Sequence, residues 1–343
     1  MSRTSLIGAL GAARQSAKDA AATISAYMPV TSTNINPMQN VQTLPPEIGG
    51  AYFLRGSYKS SVSGSGDVGM VIRPNQLGNL LMAYSGVDTP TAVPGQAGAY
   101  QHVFTPFTPA AGVDLPWYTV VEDVAKLYAN QLLNAKMRSL RLDIPKSSIL
   151  TGQTSWLATT PSQIASITSP TFDTTPQFQT CSATIALTQE GSGTNISANS
   201  IRMERISVML GNQLSEDEFS VGNYFLDDIT LLQKSASVDL DLIIRDTALY
   251  QAAYYNGNSV GTTWQPQVYR GSLTVTLTSL FNVPATTQPY VFTINFPGLD
   301  FMLMPIGQQG ADLVRATLST QVTLGQSGAD TYTMTLINGV ASY

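Results

Sequence analysis

Gly50-Ala51-Tyr52-Phe53-Leu54 returns as Gly222-Asn223-Tyr224-Phe225-Leu226, and the match runs on without a gap through Ser63/Ser235, Ser65/Ser237, Asp67/Asp239, Arg73/Arg245 and Leu77/Leu249. Every pair is 172 positions apart. Val68, Met70, Val71 and Ile72 stand opposite Leu240, Leu242, Ile243 and Ile244, so the apolar pattern repeats even where identities do not. A repeat of this length is no solenoid unit, because each copy is long enough to bury its own core. The chain of 343 residues therefore reads as two copies of one module. Tyr52, Phe53, Leu54, Arg73 and Leu77, with Tyr224, Phe225, Leu226, Arg245 and Leu249, are the candidates for repeated structural positions. The Tyr-Phe-Leu triplets are expected on strands beside each module's helix, and the two arginines either at the start of that helix or in an interface pair. Duplication also favours assembly over catalysis, since a ring uses many equivalent surfaces and an active site needs one.

The composition points the same way. Only 11% of residues are charged, against roughly 25% in ordinary soluble domains. A polar but uncharged surface suits a protein whose surface is largely covered by neighbours, because interface cores are depleted in charge. The net charge of −5 argues against a surface built to grip phosphates. One cysteine, Cys181, permits no internal disulfide, and with His102 the single histidine, metal sites and Cys-His catalysis lack raw material. Cys181 reads as a small buried hydrophobe and His102 as a strand residue beside Val103 and Phe104. No catalytic, cofactor or metal site is expected.

Several motifs have stronger structural than chemical readings. Gly64-Ser65-Gly66-Asp67-Val68-Gly69 spells a dinucleotide fingerprint, but it leads into a strand and not a helix, so a glycine-rich hairpin turn is the better reading. The acidic groups Glu122-Asp123, Glu216-Asp217-Glu218 and Asp227-Asp228 lack an accompanying histidine, lysine or calcium-loop spacing. They read as solvated loops, or as carboxylates that keep a passing polyanion from sticking. Lys136, Arg138 and Arg141 share one predicted strand and are expected to pair with carboxylates of a neighbouring subunit.

Along the chain, Leu6, Leu10, Ala13 and Ala17 have the spacing of an amphipathic helix ending before Pro29; the alternative is a signal peptide cleaved near Ala22. Residues 31–49 read as an extended arm. Strands are predicted at 51–62 and 67–73, then a helix opened by Pro74, with Leu77, Leu80, Leu81 and Tyr84 on one face and Gly86 at its exit. The second copy repeats this with Asp246 as N-cap, Leu249, Ala252 and Ala253 inside, and Gly257 as terminator. Further strands are predicted at 101–108, 117–123, 135–144, 148–158, 182–189, 199–210, 223–233, 236–245, 268–280, 290–296, 312–324 and 331–338. Ser272 to Thr278 alternates strictly between apolar and polar residues. Loop 86–98 either reaches a neighbouring subunit or is a plain surface loop. The fold class is mainly β, a β-sandwich or partly closed barrel with a flanking helix in each module.

Val68-Gly-Met-Val-Ile-Arg-Pro-Asn-Gln-Leu-Gly-Asn-Leu-Leu81, Tyr100-Gln-His-Val-Phe-Thr-Pro106, Leu115-Pro116-Trp117-Tyr-Thr119 and Leu132 to Leu142 together resemble the tail tube proteins of long-tailed bacteriophages. In particular they look like the subgroup with two tandem tube domains. Tyr224 to Gly257, Phe292 to Pro297 and Gly310 to Arg315 are similar to that family's second half. The resemblance, over roughly residues 47–340, implies a first tube domain over 47–158 and a second over 177–343; residues 1–46, an N-terminal helix and arm, have no place in the family pattern, and 159–176 reads as a linker from its Thr, Ser and Pro content. It implies a structural virion protein of the tail, with no enzymatic activity and no membrane contact. Three chains would form each pseudo-sixfold ring, and stacked rings would form a hollow tube. Expected partners are further copies of the chain, a tape-measure protein, a tail terminator, and DNA that passes through without specific binding. The competing readings are a capsid or decoration protein, a secreted surface-array or adhesin subunit, and a glycoside hydrolase using the acidic groups.

Overall fold

The computed structural model describes residues 8–46, 56–106, 114–167, 169–190, 201–245, 247–255, 263–264, 266–307, 313–325 and 331–343. In chain order the first half contains β1 (Ala9–Arg14), β2 (Val30–Thr43), β3 (Ser57–Val71), α1 (Pro74–Ser85), β4 (Thr89–Ala92), β5 (Tyr100–Phe104), β6 (Tyr118–Val124), β7 (Tyr128–Pro145) and β8 (Thr151–Ile164). The second contains β9 (Ala183–Gln189), β10 (Ile201–Leu214), β11 (Leu231–Ile244), α2 (Ala248–Tyr255), β12 (Arg270–Asn282), β13 (Pro289–Leu303), β14 (Ile306–Gly307), β15 (Arg315–Val322) and β16 (Thr333–Asn338). The fold is mainly β. Among the described residues the strands join one open antiparallel sheet.

Strand pairing follows the same order in both halves. In the first it runs β1-β6-β7-β8-β3-β2, and in the second β9-β12-β13-β15-β11-β10. Irregularities fall at matching places too. β2 shifts register between Val30 and Ser32, and β10 between Met203 and Arg205; β7 shifts between Met137 and Ser139, and β13 between Phe301 and Leu303. The halves meet where β10 pairs with β7, from Arg205↔Pro145 to Gly211↔Ser139. A second junction forms where β16 pairs with β5.

Helix α1 forms where Pro74 presets the first turn and Gly86 closes the last one in the left-handed region, at φ 83°, with its N–H on the Met82 carbonyl. Nearly all of α1 is buried, against β7, β5 and β16, so it bridges the two halves. Burying Leu77, Leu80 and Leu81 contributes about 2 kcal/mol each. The buried side chains form one continuous core drawn from both halves, from Leu10 and Trp156 to Phe292 and Leu336. A satellite cluster of Leu115, Leu157, Leu214, Leu226 and Ile229 lies under the 215–230 loop.

Several sequence expectations are corrected. Ala9–Arg14 is not a helix but β1, paired along its length with β6, because burial against that strand overrides a short Ala/Leu periodicity. The polar arm at 31–49 is a strand, β2, up to Thr43. Gly64, Gly66 and Gly69 lie inside β3 and form no turn; a Cβ on Gly66 would stand 2.7 Å from the Ile35 Cα, so glycine is what lets β2 lie close. Residues 223–230 are irregular, and the strand starts at Leu231. The expected linker is ordered as strand through Ile164, where β8 pairs with the start of β7, and its remainder is tied to Tyr27 by hydrogen bonds at 2.8 and 3.1 Å. Cys181 is exposed on a 3-10 turn and is no core residue. Loop 86–98 contains β4, paired with β5.

Candidate functional surface

One face of the sheet packs on the core, and the other carries rows of mainly polar residues that cross both halves. One row runs Asn34, Asp67, Ser155, Ser139, Gly211, Ser235. The next runs Ser32, Gly69, Gln153, Arg141, Met209, Ser237, Gln321. A third runs Val71, Thr151, Asp143, Ser207, Asp239, Ser319. The alternate positions, such as Met70, Leu142, Val208 and Val238, point into the core. This period-two division is what a sheet with one wet face requires.

The charges on this face compensate one another. The Arg141 Nε lies 3.0 Å from Asp143, and Arg205 sits 3.6 Å from both Asp143 and Asp241. Arg315 lies 3.0 Å from Glu204, which also pairs with Lys146; the hydrogen bond from Lys146 holds the Glu204 carboxyl below its ordinary range. Asp67 and Asp239, at the same repeat position, are exposed beside serines. This face is neutral to slightly acidic and rich in hydroxyls, with the cations named above held by carboxylates. Lys136 and Arg138 pair within the chain as well, with Asp114 and Glu216 (2.7 Å), so the expectation of intersubunit partners for this trio is corrected.

Where β7 meets β10, three polar side chains lock the halves together. Asn212 donates to the Met137 carbonyl at 2.9 Å and the Tyr84 carbonyl at 3.3 Å. Lys234 donates to the last carbonyls of α1, Tyr84 at 3.1 Å and Ser85 at 3.0 Å, with its ammonium 5.1 Å from the Tyr84 ring centroid. Burial pulls the Lys234 ammonium down from the lysine range to about 7. Lys136 is fully buried, 4.0 Å from the Trp117 ring centroid, and donates to the Ile229 carbonyl at 2.6 Å. Burial lowers its pKa, opposed by Asp114.

A family model described as phage tail tube protein matches residues 7–334. The chain belongs to the phage tail tube protein family. No curated protein matches it.

In this tail tube protein the repeated positions are partly accounted for. Leu77 and Leu249 are both buried, one on each helix. Arg73 is the residue before α1 and donates to the Thr175 carbonyl, while Arg245 stands exposed between β11 and α2; each marks a strand-to-helix junction. Tyr52, Phe53 and Leu54 lie outside the described residues. Tyr224 and Phe225 are exposed and off any named strand, which corrects the expected strand position for this triplet; of the three only Leu226 is buried. The Tyr224 carbonyl accepts the Val62 N–H at 2.7 Å. His102 is a buried β5 residue, with Nε2 on the Val340 carbonyl at 2.8 Å and Nδ1 against Asp88 at 2.9 Å. Glu122 is buried in β6, and burial raises its pKa. Among the described residues no group of His, Cys, Asp and Glu has metal-binding geometry, and no helix is long and apolar enough to cross a membrane. Sequence reasoning missed Asn212 and Lys234. Neither stands out locally, since Gln213 follows Asn212 and Gln233 precedes Lys234 in strands that carry other charged residues.

Proposed function

We propose that the chain is two copies of one tube module and that three chains close into a ring, with stacked rings forming the hollow tail tube through which DNA leaves the capsid. The observation that carries this reading is the mainly polar face that continues from the first half to the second through β7 and β10. One chain supplies two of six pseudo-equivalent places, and head-to-tail contacts then close a ring. The polar face lines the lumen in this arrangement. Its hydroxyls and compensated charges give duplex DNA nothing to release counterions against, so the polymer slides.

The repeated order of strand pairing supports the two-module reading. Covalent linkage makes one junction in every pair permanent and halves the number of bodies to be gathered. The tape-measure protein would occupy the lumen during assembly and the terminator would cap the last ring, within the virion tail. Electron microscopy of the purified chain, alone and with tail components, tests the proposal. Hollow tubes or rings are expected; a chain that stays monomeric at high concentration and is missing from virion tails overturns it.

A further inference from the structure

Resting on the ring reading above, the internal junction specifies the external one, residue by residue. Ser63 and Ser235 share a repeat position; Ser63 pairs with Met38 and Ser235 with Gly211, so Met38 corresponds to Gly211. Asp67 leads through Ser155 to Ser139, and Asp239 leads through Ser319 to Leu303, so Leu303 corresponds to Ser139. Inside the chain, Gly211 is paired with Ser139. We propose that β2 of one chain adds antiparallel to the Leu303–Gly307 edge of the next, with Met38 opposite Leu303 and Asn34 opposite Gly307.

Independent features of the two edges fit. Among the described residues β2 is strand-paired on one side alone, with β3, and no strand lies against the outer side of Leu303–Gly307; the Ile35 carbonyl, which accepts from the Asn130 side chain at 3.0 Å, exchanges that bond for the strand when the edges join. The Met304 N–H goes to the Tyr254 hydroxyl at 3.3 Å rather than to a strand. Natural edge strands are usually defended with charge or proline, and each of these two edges carries one proline, Pro37 and Pro305. Asn34-Ile-Asn-Pro-Met38 and Leu303-Met-Pro-Ile-Gly307 contain no charged residue. Met38 and Leu303 are 55% and 53% exposed, and the pairing would bring these two apolar side chains together on one face. On the other face Ile35 meets Ile306, as buried Val208 meets Leu142 at the internal junction. The occupant is thus a second copy of the same chain, because its β2 is the one strand whose pattern matches what β10 does internally.

The test is site-directed cross-linking in full-length protein carrying Cys181→Ser, which removes the exposed native thiol. Met38→Cys and Leu303→Cys are introduced together, and assembled material is oxidised and run on a non-reducing gel. Both positions are exposed in the lone chain, so folding should be untouched, and each single variant serves as control. Covalent dimers and trimers, with trimer the largest species and single variants silent, are expected. If rings form without this cross-link, while Met38→Cys joins Met302→Cys instead, the register is overturned and the ring reading stands. A ladder extending beyond trimer upholds the strand pair and overturns the closed three-chain ring. A protein that neither assembles nor cross-links overturns both.

Discussion

Replacing Lys234 with Met should change how stability depends on pH, by an amount set by its position at the C-terminus of α1. In the folded chain its ammonium titrates near 7, lowered by burial. In the unfolded chain a lysine titrates at about 10.4. Between these values the unfolded state binds the extra proton, so folded stability rises with pH; the penalty is full below the folded pKa and gone above the unfolded one. Integrating between pH 7 and about pH 9 gives about 2 kcal/mol. The Tyr84 and Ser85 carbonyls and residual solvent favour the ammonium and reduce this to about 1 kcal/mol. Burial raises the pKa of Tyr84, Tyr118 and Tyr343, so their stabilising contributions decline only above the ordinary tyrosine range and leave this window clear. Urea unfolding of dilute, unassembled protein at both pH values measures the effect. The wild type should gain about 1 to 2 kcal/mol relative to Lys234→Met, whose aliphatic stem keeps the packing. Equal pH dependence in the two proteins would refute the assignment.

Trp156 is buried in β8 with its ring tilted against Tyr118 at 5.5 Å, so Trp156→Ala should cost about 3 to 5 kcal/mol in urea unfolding; a loss under about 1 kcal/mol contradicts the packing described. Asp67→Lys with Asp239→Lys places exposed cations on the polar face of both halves, and assembled variant should retain duplex DNA at low salt and release it at high salt, unlike wild type. Equal retention by both would argue against that face being the DNA-facing wall. Cys181 should react fully with a maleimide in the native, unassembled chain, and a thiol reactive only after denaturation would remove it from the surface.

Legibility followed punctuation. Pro74, Gly86 and the 3.6-residue apolar spacing between them define α1 without help, and the strict alternation of Ser272 to Thr278 defines β12. β2 was harder to see because most of its side chains are exposed, so Thr31-Ser-Thr-Asn carries no apolar alternation; Ile35 alone reports the core side. β1 is hard to read because five residues of Ala, Leu and Gly before Arg14 fit a helix and a strand equally, and the partner strand that decides lies more than a hundred residues away. The glycines of β3 looked like a turn because sequence cannot show a neighbouring strand lying close. The repeat paired Arg73 with Arg245 and Leu77 with Leu249, and it is the structure that puts the arginines at strand-to-helix junctions and the leucines on helix faces; identity at Tyr224-Phe225 did not report burial. The functional surface was legible only as composition. Its rows depend on long-range register, which no local pattern specifies.

The central claim is that this chain closes rings as three copies of a doubled module. A cryo-EM reconstruction of tubes grown from the purified protein counts the chains directly. The account predicts rings that look sixfold at low resolution and are threefold in detail, with β2 of each chain against Leu303–Gly307 of its neighbour. Six copies of the chain per ring, or a lumen lined by the apolar face that here packs the core, would contradict it.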